Sequence, residues 1–319
     1  MKKENIFSIE ALRQMAASEG KQREILSCLL DVWADQKSVD FNNSLLKNLV
    51  LRYAEAEKKL KVLNDELKTR QKTMTDELEA AAGIQKTLLP QAVPRSEAVE
   101  AAFEFLPCDQ VGGDLVGLVP YDENRWFAWV VDVAGHGPRA AMITVSVAQF
   151  LQMSVQLNSL GPADVMKALD REFPFSRFNS FFTIIYGVLD LKKQVFTYCN
   201  SGHPNPVLLK PGETPQFIEG SGPMLGLGLP MPWPEVTVDL SGGKSLLLYT
   251  DGLIECADAG GQFFGEDRLL EMLNRLQCRS ANCLAAAIMQ EMHAFMGKVR
   301  FQDDFTFLAL KSKNPPVEP

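Results

Sequence analysis

From residue 53 the apolar positions fall into step. Tyr53, Leu60, Leu67, Met74, Ala81 and Leu88 recur every seven residues. Ala56, Leu63, Leu78 and Ile84 fill companion positions, and Lys, Glu, Asp and Arg take the other faces. The run contains no Pro, and Gly83 is its one glycine. A seven-residue apolar repeat buries its stripe by winding against another helix, so residues 46–89 are expected to form a coiled-coil linker and to make a homodimer. A single amphipathic helix packed on its own domain would carry the same short-range signature. Asn64, Gln71 and Gln85 fall near the seam, where polar side chains lower stability while fixing register. Residues 1–45 show looser helical patterning through Ile6, Ile9, Leu12, Ile25, Leu29, Leu30, Val32 and Trp33. They are expected to form a helical N-terminal regulatory region, a docking place for an upstream activator.

Pro90 and Pro94 stop the helix, and the texture changes to apolar runs separated by Gly and Pro turns. The runs predict strands at 99–107, 114–119, 125–133, 181–190, 194–200, 206–209, 235–239, 244–250 and 304–311. Longer periodic stretches predict helices at 138–156, 162–172, 266–276 and 280–297. Consecutive strands joined by tight turns, such as Asp190 to Lys193, favour antiparallel pairing. Two helices follow the first strands and two more precede the last, so an α+β sandwich fits better than a doubly wound sheet. One domain is expected over 90–312, with a short tail at 313–319.

Composition narrows the class. A 319-residue chain, 46% apolar and 23% charged, can bury a full core as a soluble globular protein. Its net charge of −8 argues against a nucleic-acid partner. No run of about 18 apolar residues exists to span a membrane, and the Met1-Lys2-Lys3-Glu4 start lacks a signal-peptide core. A cytoplasmic location is the expectation. The six cysteines are scattered without a Cys-x-x-Cys pair, as in a reducing compartment.

The chemistry lies where apolar runs end. Gly112-Gly113-Asp114, Asp132-Val133-Ala134-Gly135-His136-Gly137, Thr250-Asp251-Gly252 with Glu255, and Asp303-Asp304-Phe305-Thr306 each put a carboxylate at a strand end or turn. Burying such carboxylates is costly unless a cation compensates them. For the Asp132 motif taken alone, an Asp capping the helix at 138–156 or closing an Asx turn is the structural alternative. As a set, the all-oxygen donors suit hard divalent ions such as Mg²⁺ or Mn²⁺. Of the three histidines, His136 and His203 lie in Gly-containing turns near the acids, and His293 lies on a predicted helix. No phosphate-cradling cysteine loop and no Gly-x-x-x-x-Gly-Lys-Ser/Thr occurs, which weakens covalent cysteine-phosphatase and P-loop readings.

At these residues the chain resembles the metal-dependent type 2C protein serine/threonine phosphatases, and more narrowly their bacterial RsbU/SpoIIE-like branch. The resemblance covers about 85–312. It rests on Ile84 to Pro90, Gly112-Gly113-Asp114, Asp132 to Gly137 with Ala140 and Ala141, Asn200 to Pro204, Gly226, Tyr249 to Gly252 and Asp303 to Thr306. It implies a four-layer α-β-β-α sandwich with two antiparallel sheets and a site for two Mn²⁺ or Mg²⁺ ions. Asp132 would bridge both ions, the Val133 carbonyl would add a ligand, Asp251 and Asp303 would complete one ion, and Asp114 would support the site. Asp304, His136, Gly135 and Gly252 would be accessory. The implied substrate is phosphoserine or phosphothreonine on an anti-sigma-factor antagonist-like protein, in stress-response signalling. A catalytically silent scaffold of the same fold, binding a signalling partner, is the alternative. One departure is visible: branch members often carry an acid three residues after the Gly-Gly-Asp aspartate, and here that position is Gly117.

Overall fold

The computed structural model describes residues 40–157, 161–276, 278 and 280–313, so the expected 1–45 regulatory region and the 313–319 tail lie almost wholly outside the described residues. The chain divides into two compact units, Met1–Met74 and Thr75–Pro319. Helix α1 spans Asp40–Leu88. In the first unit its large apolar side chains face solvent in the single chain. Tyr53 is 40% exposed, Leu60 68%, Leu67 64% and Met74 60%.

The second unit holds two sheets. One runs in the order β1-β11-β10-β6-β7, formed by Val99–Leu106, Phe305–Ser312, Ser245–Tyr249, Val207–Leu209 and Gln216–Phe217. The other runs β2-β3-β4-β5-β8, with β9 also paired to β5. Its strands are Asp114–Pro120, Arg125–Val133, Phe182–Asp190, Val195–Ser201, Ser221–Gly222 and Glu235–Asp239. Helices α2 (Pro138–Leu157) and α3 (Pro162–Glu172) cover the second sheet. Between α3 and β4 lies the one-turn helix α4 (Phe175–Phe178). Helices α5 (Gly265–Arg275) and α6 (Ala281–Met296) cover the first sheet.

The period-two geometry of a strand explains why these runs are so continuously apolar. Along β3, Phe127, Trp129, Val131 and Val133 enter the core under α2 and α3. The alternate residues Trp126, Ala128 and Val130 enter the core between the sheets. Along β11, Leu308 and Leu310 point between the sheets, while Phe305, Phe307 and Ala309 point to α5 and α6. Both sheets are thus buried on both faces, and the layers are α-β-β-α.

The same alternation positions the chemistry. Asp114, Asp132, Thr250 and Thr306 all share parity with residues of the inter-sheet core. They end that layer with polar groups where the apolar ones stop.

Three expectations change. The pairing is antiparallel except for β5 with β8, a two-residue parallel pair of Asn200 and Ser201 with Ser221 and Gly222. Side-chain and turn bonds hold it, Ser201 Oγ to the Pro223 carbonyl and Gly202 N–H to the Gly222 carbonyl. Gln85 is not a seam residue. It is 2% exposed and docked into its own unit. Leu88, also assigned to the seam, packs instead against the core under α2 and α3. A heptad count cannot distinguish a stripe facing another chain from one that has turned onto its own fold.

Candidate metal centre

The site forms where β2, β3, β10 and β11 end together. Asp114 and Asp132 are directly opposite in the β2–β3 register. Across the inter-sheet layer, Thr250 Oγ1 donates to Asp114 Oδ2 at 2.7 Å, joining the two sheets. Thr250 Oγ1 also accepts from the Thr306 amide at 3.1 Å.

Asp304 is a clamp on the loop before β2. Its Oδ2 accepts from the Gly113 amide at 2.5 Å, and its Oδ1 accepts from the Cys108 amide at 2.9 Å. The loop is held from the other side by Gln85. The Gln85 Nε2 donates to the Gly112 carbonyl at 2.7 Å, and the Gly112 amide donates to Gln85 Oε1 at 3.1 Å. Thr144 of α2 adds a third tie, its hydroxyl donating to the Gly113 carbonyl at 2.6 Å. The Gly-Gly pair is therefore fixed on three sides, although its sequence reads as flexible.

Asp251 opens a single 3₁₀ turn, Asp251–Leu253, directly after β10. Gly252 is required there by close approach: a Cβ would meet the Asp304 carbonyl oxygen at 1.9 Å. Asp303 is exposed, and its Oδ1 accepts from the Asp304 amide at 2.8 Å. The Val133 carbonyl lies against Gly113, where a Cβ would meet it at 2.7 Å. Gly135 turns the chain after β3 with φ of 90°. His136 is exposed and pairs with Asp109, Nδ1 to Oδ2 at 3.1 Å.

His203 is buried behind the centre. Its Nδ1 lies 2.7 Å from the hydroxyl of Thr183, the residue opposite Asp132 in the β3–β4 register. Asn200 brackets it, accepting from the His203 amide and donating to the His203 carbonyl. Burial pushes the imidazole down to about 3, so the ring is neutral near pH 7 and supports the turn.

The electrostatics mark the site. Burial raises Asp132 from 3.8 to about 8, reinforced by repulsion from Asp251, Asp303, Asp304 and Glu255. Burial raises Asp251 to about 6, with Asp303 and Glu255 adding to it. Asp114 is held well above its ordinary range by burial and by Asp132 and Asp304, partly offset by the hydroxyls of Thr250 and Thr306. Among the described residues, no ion pair reaches any of these carboxylates. These uncompensated oxygen donors lie close enough to repel one another, though among the described residues no three of them bring their donor atoms within 4.8 Å, and their chemistry fits Mg²⁺ or Mn²⁺.

The absent acid at position 117 has a structural reason. Gly117 lies opposite Trp129, and a Cβ would meet the indole at 2.0 Å. Position 117 also has the parity of the helix-covered face, opposite to that of Asp114. Residues that sequence reasoning missed are Gln85, Thr144, Thr183 and the cross-sheet role of Thr250. Thr250 carried a signal in the Thr-Asp-Gly motif and Gln85 in the Ile84 to Pro90 motif, but Thr144 and Thr183 carried none.

Residues 122–313, more than half of the chain, match the family described as Stage II sporulation protein E (SpoIIE). Phosphoserine phosphatase RsbU of Bacillus subtilis (strain 168) is 28% identical over 245 residues, covering 76% of this chain and 72% of that protein. Phosphoserine phosphatase RsbP of the same organism is 30% identical over 185 residues, covering 56% of this chain but only 45% of that protein. Among solved structures, the SiaA-PP2C domain of Pseudomonas aeruginosa has a TM-score of 0.67 at 23% identity, covering 76% of this chain and 98% of that one. No helix among the described residues is long and apolar enough to cross a membrane.

Proposed function

The chain belongs to the SpoIIE family of type 2C-like protein phosphatases, and we propose that it is a regulated, metal-dependent phosphatase acting on phosphoserine or phosphothreonine of an anti-sigma-factor antagonist-like protein. The observation that carries this reading is the convergence of Asp114, Asp132, Asp251, Asp303 and Asp304 at one end of the inter-sheet layer without a paired cation. The naming of RsbU and RsbP as phosphoserine phosphatases supports the substrate class.

Asp132, Asp251, Asp303 and the Val133 carbonyl would hold the ions, with Asp114 supporting Asp132 from the facing strand. When bound, two such ions would activate a water molecule and polarise the phosphoryl oxygen. The chain's own part is positioning. Thr250 orients Asp114 by donating to Oδ2, and Asp304 fixes the loop that delivers Asp114. A short phosphoserine side chain reaching a centre between sheet ends needs protein contacts beyond the phosphate.

Regulation is proposed to enter through α1, as a parallel homodimer whose seam runs from Tyr53 to about Ala81. The exposed stripe of Tyr53, Leu60, Leu67 and Met74 supports this, because a partner helix would remove it from water. Residues 1–45, or an activator bound there, would set the state of the helix.

The test uses the full chain with Mn²⁺, a phosphorylated antagonist protein and free phosphoserine. The expected result is chelator-sensitive release of phosphate, much faster from the protein. Equal rates on both would contradict protein recognition. Tight binding of the phosphoprotein with no turnover would favour the silent scaffold instead.

A further inference from the structure

Beside the carboxylate cluster lies a group of different chemistry. Cys108, Asp109 and His136 each offer one donor atom, and these atoms lie within 4.8 Å of one another. They come from two separate turns. Cys108 and Asp109 follow β1, and His136 follows β3. The Cys108 backbone is fixed by the hydrogen bond its N–H donates to Asp304 Oδ1 at 2.9 Å. The Asp109 and His136 side chains are 53% and 62% exposed and already touch at 3.1 Å.

We propose that these three residues form a second cation site, separate from the carboxylate cluster, that takes one zinc-class divalent ion. Zinc binds sulfur at about 2.3 Å and imidazole nitrogen or carboxylate oxygen at about 2.0–2.2 Å. Tetrahedral donors are then roughly 3.5 Å apart. Two of the three ligands, Asp109 and His136, are exposed side chains that can turn towards that spacing.

Donor softness separates the two sites. Thiolate and imidazole select zinc-class ions, whereas the carboxylate cluster offers oxygen alone. Three protein ligands leave a fourth position for water or a substrate oxygen. On binding, the Cys108 thiol gives its proton to solvent and the thiolate donates to the metal. The bound ion would join the turn after β1 to the turn after β3. Through the Cys108 amide it would brace Asp304, the clamp on the Gly112-Gly113-Asp114 loop.

Cobalt(II) is the probe, because its bond to a thiolate gives a charge-transfer absorption that bonds to oxygen do not. The full chain is titrated with Co²⁺ in excess Mg²⁺. The expected result is a thiolate–cobalt band that saturates at one equivalent and is displaced by one equivalent of Zn²⁺. The Cys108→Ser protein should lose the band. His136→Ala should weaken Co²⁺ binding at least about tenfold. Asp132→Ala, which strikes only the carboxylate cluster, should keep the band. Absence of a band in the unaltered protein would overturn the proposal. So would a band at full intensity in Cys108→Ser, unchanged affinity in His136→Ala, or loss of the band in Asp132→Ala. None of these readouts depends on phosphatase turnover, so the site stands or falls apart from the proposed activity.

Discussion

Thr250 shows how one hydroxyl can hold a site together. It donates to a carboxylate on the opposite sheet and accepts from the Thr306 amide on the adjacent strand. Thr250→Val keeps the shape and removes both bonds. Leaving buried groups unpaired costs about 1–3 kcal/mol, so a loss of that size is expected in urea unfolding, together with weaker Mn²⁺ affinity. Unchanged stability and unchanged metal affinity would show that the cross-sheet bond is idle. The carboxylates also make a pH prediction. In the metal-free protein, Asp132 and Asp251 are raised from 3.8 to about 8 and about 6. The folded state then binds more protons than the unfolded one, so this contribution is complete below about 4 and is lost as pH rises towards about 8. In chelator, the thermal midpoint should fall over that window, Asp132→Asn should flatten the fall, and excess Mg²⁺ should abolish it. A flat or rising midpoint in chelator would contradict this electrostatic picture. The acids themselves were legible because strand-end Asp residues next to Gly turns are locally marked. Their partners were not: Thr250 and Asp114 are 136 residues apart in sequence, and nothing local predicts the bond.

At the scale of elements, the long apolar runs read correctly because each is buried on both faces and has no competing pattern. Strand β8 and helix α4 were not legible, being two and four residues long, too short for any periodicity. The end of α1 was misread for a different reason. Gln85 and Leu88 keep the heptad phase, yet they dock on their own unit, where Gln85 bonds both backbone groups of Gly112. That contact ties the helix end to the Gly112-Gly113-Asp114 loop. Gln85→Ala strands the buried Gly112 amide and carbonyl, and should destabilise the second unit by about 1–3 kcal/mol. It should also shift the Mn²⁺ concentration for half-maximal activity at least about threefold, against an exposed control such as Lys86→Ala. If both variants titrate like the unaltered protein, the helix end does not influence the centre.

At the scale of the whole molecule, the two-sheet sandwich fixes the acids, and the stripe along α1 is proposed to fix the oligomer. Leu60→Glu with Leu67→Glu places charge in the proposed seam, and sedimentation should show a monomer. A double variant that stays dimeric would refute the seam; a monomer with unaltered Mn²⁺ response would leave the helix a passive tether. The proposed chemistry itself is tested most directly by Mn²⁺-dependent phosphate release from a phosphoserine protein, comparing the unaltered chain with Asp132→Ala and Asp251→Ala. Each substitution removes a donor that no neighbour replaces. A metal contribution of several kcal/mol predicts a loss of about a thousandfold or more in each, with circular dichroism unchanged. Near-unaltered turnover in both variants would contradict the assignment of this centre.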